Sequence, residues 1–410
     1  LFFEFRQGVF LLGNPDSPGD GSKGRGNEVV GFHDISRDNR QTEEGSAATK
    51  LREFWNAIGW RDGYRRGMKF LPLLFLPLMA WGKELPVQPL PVSGPAKVGV
   101  SAEGLAKIGP AVEALIAEKK LAGGSVLVMR KGHVVYLESF GHRDLEAGKA
   151  MAADTLFRIY SMTKGLTSAA ALMLCEEGKL SLDDPIDLYL PEMKGQKSRR
   201  MTTVRDLLRH TSGYVKRPQG DVPLLEMVGE LAKGPVDYEP GTRWVYGVSS
   251  DLLAAVVAKA SGLPFEQFLQ ERFLTPLGMT DTGYVVPASQ VDRLSVNYRA
   301  ENGALTVIDP AAGSSYLNDP EFKGGGSGLV STIRDYGRFL QMIANGGEFQ
   351  GKRYLREDTV DLMRTNQLPR SIPCIGFGEE LRHGTGFGLG FCVRYADDDR
   401  WDQDAAIGEY

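Results

Sequence analysis

Ser161-Met162-Thr163-Lys164 sets a hydroxyl and an amine three residues apart, and its surroundings say what the turn belongs to. Leu156-Phe157-Arg158-Ile159-Tyr160 precedes it, and Gly165-Leu166-Thr167-Ser168 and an Ala/Leu/Met run ending at Gly178 follow. A run of that length and apolarity, closed by glycine, predicts a buried helix with Ser161 at or near its N-terminus. Positions i and i+3 share a helix face, so Lys164 can approach the Ser161 hydroxyl. A helix start also offers free N–H groups and a positive dipole end to an oxyanion. Serine is a poor nucleophile until a neighbour takes its proton, and a desolvated lysine can do so.

A Ser-x-x-Lys alone occurs about once by chance in a chain of this length. Weight comes from a second segment 85 residues on, Glu239-Pro240-Gly241-Thr242-Arg243-Trp244-Val245-Tyr246. It reads as a turn and an aromatic stretch before a helix opened by Ser249-Ser250-Asp251 and closed at Gly262. Tyr246 then lies on a loop entering a helix, where a phenol can face a cleft and act as general base or acid if cations lower its pKa.

Together these segments resemble the serine β-lactamase-like hydrolases, which comprise class C β-lactamases, D-alanyl-D-alanine peptidases and family VIII carboxylesterases. The resemblance runs from about Ser101 to Tyr410. It takes in Asp183-Asp184-Pro185-Ile186, His210-Thr211-Ser212-Gly213, Gly324-Gly325-Gly326-Ser327-Gly328-Leu329-Val330-Ser331-Thr332, and Gly386-Phe387-Gly388-Leu389-Gly390-Phe391. It implies an α+β fold, an antiparallel sheet flanked by helices plus an all-helical region. The site would lie at their border, with Ser161 as nucleophile and Lys164 and Tyr246 sharing the proton-accepting role as a coupled pair. Tyr246 would then protonate the leaving group and activate the deacylating water. No metal or organic cofactor is implied.

Two departures refine this. Class C β-lactamases carry Tyr-x-Asn, whereas this chain has Tyr246-Gly247-Val248. Val248, at the substrate-binding position, cannot hydrogen-bond an amide, which points to a carboxylesterase acting on small esters. The family's third motif, Lys-Thr-Gly, His-x-Gly or Trp-Gly-Gly, is expected after the Phe-Gly-Leu-Gly-Phe strand. The chain ends at Ile407-Gly408-Glu409-Tyr410, so the C-terminal strands and the second oxyanion donor are expected to be missing and this chain to have little activity. His383-Gly384-Thr385-Gly386 precedes that strand and reads as a loop. The competing readings are a β-lactamase, a D-alanyl-D-alanine peptidase, and a non-catalytic or slowly acylated penicillin-recognising module.

The rest of the chain is consistent with a soluble globular protein. It has 410 residues, 42% hydrophobic, with a formal net charge of −4, enough for a sizeable core. Lys197-Ser198-Arg199-Arg200 is too short a basic run to suggest nucleic acid. Cys175, Cys374 and Cys392 have neither metal nor redox spacing, and Cys175 reads as a small core residue. The expected partner is a small ester or amide, with no nucleic acid and no stable membrane anchor.

Met68-Lys69, the apolar Phe70–Met79 and Ala80-Trp81-Gly82 have the layout of a signal peptide. That predicts a periplasmic or secreted protein, with residues 1–67 a non-native or disordered extension, 68–82 the signal, 83–100 a linker and 101–410 the hydrolase domain. Within it, 101 to about 120 reads as a helix kinked or restarted at Pro110. Ser125–Met129 and His133–Leu137 read as a hairpin around Lys131-Gly132. Mainly helix and loop is expected from 161 to about 363, and a strand from 387 to 395.

Overall fold

The computed structural model describes residues 9–13, 88–218, 220–377, 380–397 and 407–410. The signal-like segment 68–82 lies outside the described residues. The Lys131-Gly132 turn closes with positive φ at both residues, 48° and 78°, the geometry that matches the twist of two hairpin strands. It joins β2 (Gly123–Arg130) to β3 (His133–Asp144) in antiparallel register, Arg130 opposite His133. β1 (Val9–Gly13) pairs antiparallel with β2, and β4 (Lys149–Ala150) with β3, giving the order β1-β2-β3-β4. A strand from the stretch read as an extension therefore takes part in the sheet.

Both faces of β2 are covered, which explains its nearly continuous apolar sequence. Val126 and Val128 pack on α1 (Ala102–Leu105) and α2 (Ile108–Ala117) through Leu105, Ile108 and Val112. Leu127 and Met129, on the alternate face, join the main core. That core is built around α3 (Thr163–Glu176), α5 (Ser249–Ser261) and α6 (Ile333–Ala344). Ala169, Ala170 and Ala171 of α3 and Ala254 and Ala255 of α5 are fully buried. Such short side chains allow two helix axes to come close. α6 crosses the sheet at Gly337, where an added methyl would stand 2.6 Å from Leu127 Cδ2.

Four stretches differ from expectation. The first helix is two helices, interrupted at Ala106-Lys107 rather than at Pro110, which sits inside α2. The stretch read as a linker is partly built into the domain. Val92 bridges Val134, and Val98 and Val100 pack against β2. The region from 161 to 363 contains a hairpin, β6 (Asn297–Glu301) and β7 (Ala304–Asp309). Its Asn302-Gly303 turn has φ of 53° and 73°, and Asn-Gly is a hairpin signal the sequence carried openly. Finally, 385–394 is not one strand but two, β9 (Thr385–Phe387) and β10 (Cys392–Arg394), paired antiparallel. Gly390, at φ 112°, turns the chain between them. Of the His383-Gly384-Thr385-Gly386 loop, only the first two residues stay outside a strand.

Candidate active site

The nucleophile turn begins at an edge. β5 (Phe157–Arg158) pairs with β8 (Val330–Ser331), and the Ile159 N–H donates to Leu329 O at 2.9 Å. Tyr160 then adopts φ 39°, a genuine outlier for a bulky residue. Its hydroxyl accepts from Asn297 Nδ2 at 2.7 Å, and Tyr336 OH donates to Met162 O at 2.9 Å. These anchors hold a conformation that costs about 1–3 kcal/mol. The reversal carries the chain through a 3-10 turn, Tyr160–Met162, into α3. Ser161 sits in that turn, whose Met162 and Thr163 N–H groups already donate to carbonyls of the turn, Ile159 O among them.

Lys164, one turn on, points back at Ser161. Its Nζ lies 3.1 Å from Ser161 Oγ and donates to Gly326 O at 2.6 Å. A neutral lysine amine has two N–H groups and one lone pair. Giving one N–H to Gly326 leaves the lone pair available to the serine hydroxyl. The glycine loop is held against both buried helices. Thr167 Oγ1 donates to Gly325 O at 2.8 Å, and Gly326 N donates to Asp251 Oδ1 at 2.8 Å. Its glycines are there for space. An added methyl at Gly325 would stand 2.3 Å from Ser250 O, and one at Gly326 2.9 Å from Asp251 Oδ1. Burial pushes the Asp251 carboxyl above its ordinary range, and Lys164 pulls it partly back.

Tyr246 reaches the same place from the loop before α5. Lys164 Nζ stands 4.5 Å from the centre of its ring. His210 stacks on the same ring at 4.8 Å, with Phe387 edge-on to His210 at 5.2 Å and Trp244 6.2 Å from Tyr246. His210 is buried at φ 56°. Burial, with a smaller effect from Lys164, lowers its pKa to about 3, so it is a neutral imidazole at physiological pH. Cys175 lies farther along α3 and packs against the main core, its thiol pushed up to about 11 by burial.

Ser161, Lys164 and Tyr246 are thus brought together from two segments. Val248 is not with them in the role expected. It is 2% exposed and belongs to the main core at the start of α5, so its side chain packs inward instead of forming a binding position. Sequence reading missed Asp251, seen only as part of a helix opening, and the bond between Gly326 and Lys164. Among the described residues no group of three or more His, Cys, Asp or Glu could hold a metal ion.

A sheet with two-sided helical cover and a Ser-x-x-Lys turn opening a buried helix define a class, the serine hydrolases of β-lactamase/penicillin-binding-protein-like α+β fold. The family model described as Beta-lactamase matches residues 109–401, and the chain belongs to that family. A protein of Mycobacterium tuberculosis is 35% identical over 302 residues, spanning 67% of this chain and 75% of that one. Esterase EstB of Burkholderia gladioli is 30% identical over 330 residues, 72% of this chain and 80% of EstB. The solved structure of EstCE1, described as a hydrolase with promiscuous acyltransferase activity, superposes with a TM-score of 0.62 at 25% identity. The match covers 69% of this chain and 81% of EstCE1. The family includes esterases.

Proposed function

We propose that this protein is a serine hydrolase that cleaves small carboxylic esters through an acyl-enzyme. The observation that carries the reading is the 3.1 Å approach of Lys164 Nζ to Ser161 Oγ at a helix start, with the Tyr246 ring 4.5 Å from the same amine. Ser161 Oγ attacks the ester carbonyl carbon while its proton passes to Lys164. The Ser161 N–H, at the start of the turn, donates to the tetrahedral oxyanion. Collapse breaks the bond to the alcohol, which leaves with a proton delivered from the Lys164–Tyr246 pair. The same pair then takes a proton from water, which attacks the acyl-enzyme and releases the acid.

Preference for esters over β-lactams is supported by the similarity to a protein named as an esterase, EstB. The test is Ser161→Ala assayed on a short-chain nitrophenyl ester and on a chromogenic cephalosporin, with labelling by a fluorophosphonate probe. Wild type should label and favour the ester, and the variant should do neither. Labelling that survives the substitution, or a wild-type preference for the cephalosporin, overturns the reading. We also propose export, from the Met68–Gly82 pattern. A mature N-terminus at or near Lys83, read by N-terminal sequencing, is the expected result; such a chain lacks β1 and leaves β2 as an edge of the sheet, and a mature N-terminus upstream of Val9 overturns the proposal.

A further inference from the structure

We propose that Asp251 is a positioning residue for the Lys164 amine, acting through the backbone of Gly326. This rests on the reading of Lys164 as the base. The connection is short at each step. Asp251 Oδ1 accepts from Gly326 N at 2.8 Å, Gly326 O accepts from Lys164 Nζ at 2.6 Å, and Lys164 Nζ stands 3.1 Å from Ser161 Oγ. The peptide unit joining Gly325 to Gly326 therefore has its N–H on Asp251 of α5 and its carbonyl, Gly325 O, on Thr167 of α3, and the Gly326 carbonyl that Lys164 uses begins the next unit. A peptide unit is planar, so these two bonds fix the plane of that unit and with it the position of the Gly326 Cα, from which the next carbonyl reaches Lys164.

Asp251 is suited to that task and poorly suited to any other. It is 7% exposed, so a carboxyl there is costly unless its lone pairs are used. Gly325 N–H as well as Gly326 N–H favours its charged form, so two successive amides converge on one side chain. An asparagine could offer only one acceptor oxygen in its place. The loop has no slack to find another arrangement. A methyl added at Gly324 would stand 2.4 Å from Asp251 Oδ1, and one at Gly326 2.9 Å from it. Tyr284 OH also donates to Gly324 O at 2.5 Å, closing the loop's other end. Without the Asp251 side chain the Gly325–Gly326 unit keeps only its Thr167 anchor, the Gly326 carbonyl that follows it shifts, and the bond that holds the Lys164 amine beside the serine is weakened.

The test compares Asp251→Asn, Asp251→Ala and Gly326→Ala with wild type by steady-state ester hydrolysis and by the rate of fluorophosphonate labelling, with Lys164→Ala in parallel. Asp251→Ala should lower kcat and the labelling rate by about a hundredfold, as for loss of a base's alignment, with KM changed less than threefold. Asp251→Asn, keeping one acceptor, should lie between Asp251→Ala and wild type. Gly326→Ala should reproduce the kcat defect by pushing the loop off the carboxylate. If Asp251→Ala does not fold, the same criteria apply to Asp251→Asn and Gly326→Ala. Near-wild-type kcat in these variants, or a loss confined to KM, overturns the proposal. If Lys164→Ala itself remains active, it is the reading of the base that fails.

Discussion

Lys164 Nζ stands 4.5 Å from the centre of the Tyr246 ring, while its hydrogen bonds go to Gly326 O and Ser161. The contact presents the amine to the aromatic face, where a protonated lysine is stabilised by about 0.5–2 kcal/mol. The ring can thus favour the state in which Lys164 has just taken the serine proton. Tyr246→Phe keeps that face and removes only the phenol oxygen. Turnover is expected to fall about a hundredfold, the usual worth of an acid–base group. Tyr246→Ala removes both and should fall further. Lys164→Ala should cost a similar factor, and the double variant much less than the product, because the two groups act as a unit. Near-full activity in Tyr246→Phe would reduce the tyrosine to a wall of the site.

His210 makes the fold sensitive to mild acid. Its pKa falls from about 6.5 in an unfolded chain to about 3 in the buried, Tyr246-stacked position. Between those values the unfolded state binds the extra proton, so stability falls as pH falls through that window. One unit of pH is worth about 1.4 kcal/mol there. Asparagine tolerates the left-handed backbone that His210 adopts at φ 56°, so His210→Asn keeps the turn and removes the titration. Urea unfolding at pH 7.5 and pH 5 should show wild type losing about 2 kcal/mol more than the variant over that interval. Equal losses would mean that His210 is protonated in the folded protein.

What was readable from sequence was local. Ser161 and Lys164 share a helical turn, α5 ends at Gly262 with φ 75° in the left-handed cap, and Lys131-Gly132 turns a hairpin. Each rests on spacing within a few residues. The relation of Asp251 to Gly326 joins residues 75 positions apart, and no periodicity announces it. The same holds for His210, which stacks on Tyr246 from a turn well upstream in the chain. Tyr160 escaped for another reason. A positive φ is ordinarily announced by glycine or asparagine, and here tertiary bonds from Asn297 and Tyr336 hold an aromatic residue in it.

Asp206 anchors the segment that delivers His210. Its carboxylate is fully buried and accepts from Arg200 at 2.5 Å and 3.1 Å, from Arg209 at 3.0 Å, and from Thr211 Oγ1 at 2.9 Å. It also completes the capping box of α4 (Val204–Leu208) with Thr203. Burial alone would raise its pKa, but the arginines and the Thr203 amide together hold it below the ordinary carboxylate range. Its contribution is therefore present above about pH 4 and lost as pH falls through the depressed folded value. Asp206→Ala takes the carboxylate from two guanidinium groups, which keep bonds to Met201 O and Gln367 O, and with Arg200 partly exposed should cost about 2–3 kcal/mol in urea unfolding at pH 7. The cost should shrink at strongly acidic pH, where the wild-type carboxylate is itself protonated. A cost below about 1 kcal/mol at pH 7 would mean that water serves the arginines equally well.

Val248 separates two accounts of the tyrosine motif. If its side chain lined the substrate site, Val248→Asn would supply an amide to a β-lactam and raise cephalosporin hydrolysis relative to ester hydrolysis. The structure places that side chain in the main core, 2% exposed, while its N–H donates to Val215 O at 3.2 Å. An asparagine there buries a carboxamide among apolar neighbours at a cost of about 1–3 kcal/mol. Volume matters less, because the two side chains are similar in size. Thermal unfolding of Val248→Asn should therefore show a clear loss of stability, with the ratio of cephalosporin to ester turnover unchanged on the fraction that remains folded. Val248→Ile, which adds a methylene to a filled core, should also destabilise, by about 1–3 kcal/mol, and should likewise leave the ratio alone. A stable Val248→Asn protein with raised cephalosporin turnover would instead put this position in the substrate site and return the ester preference to a single side chain.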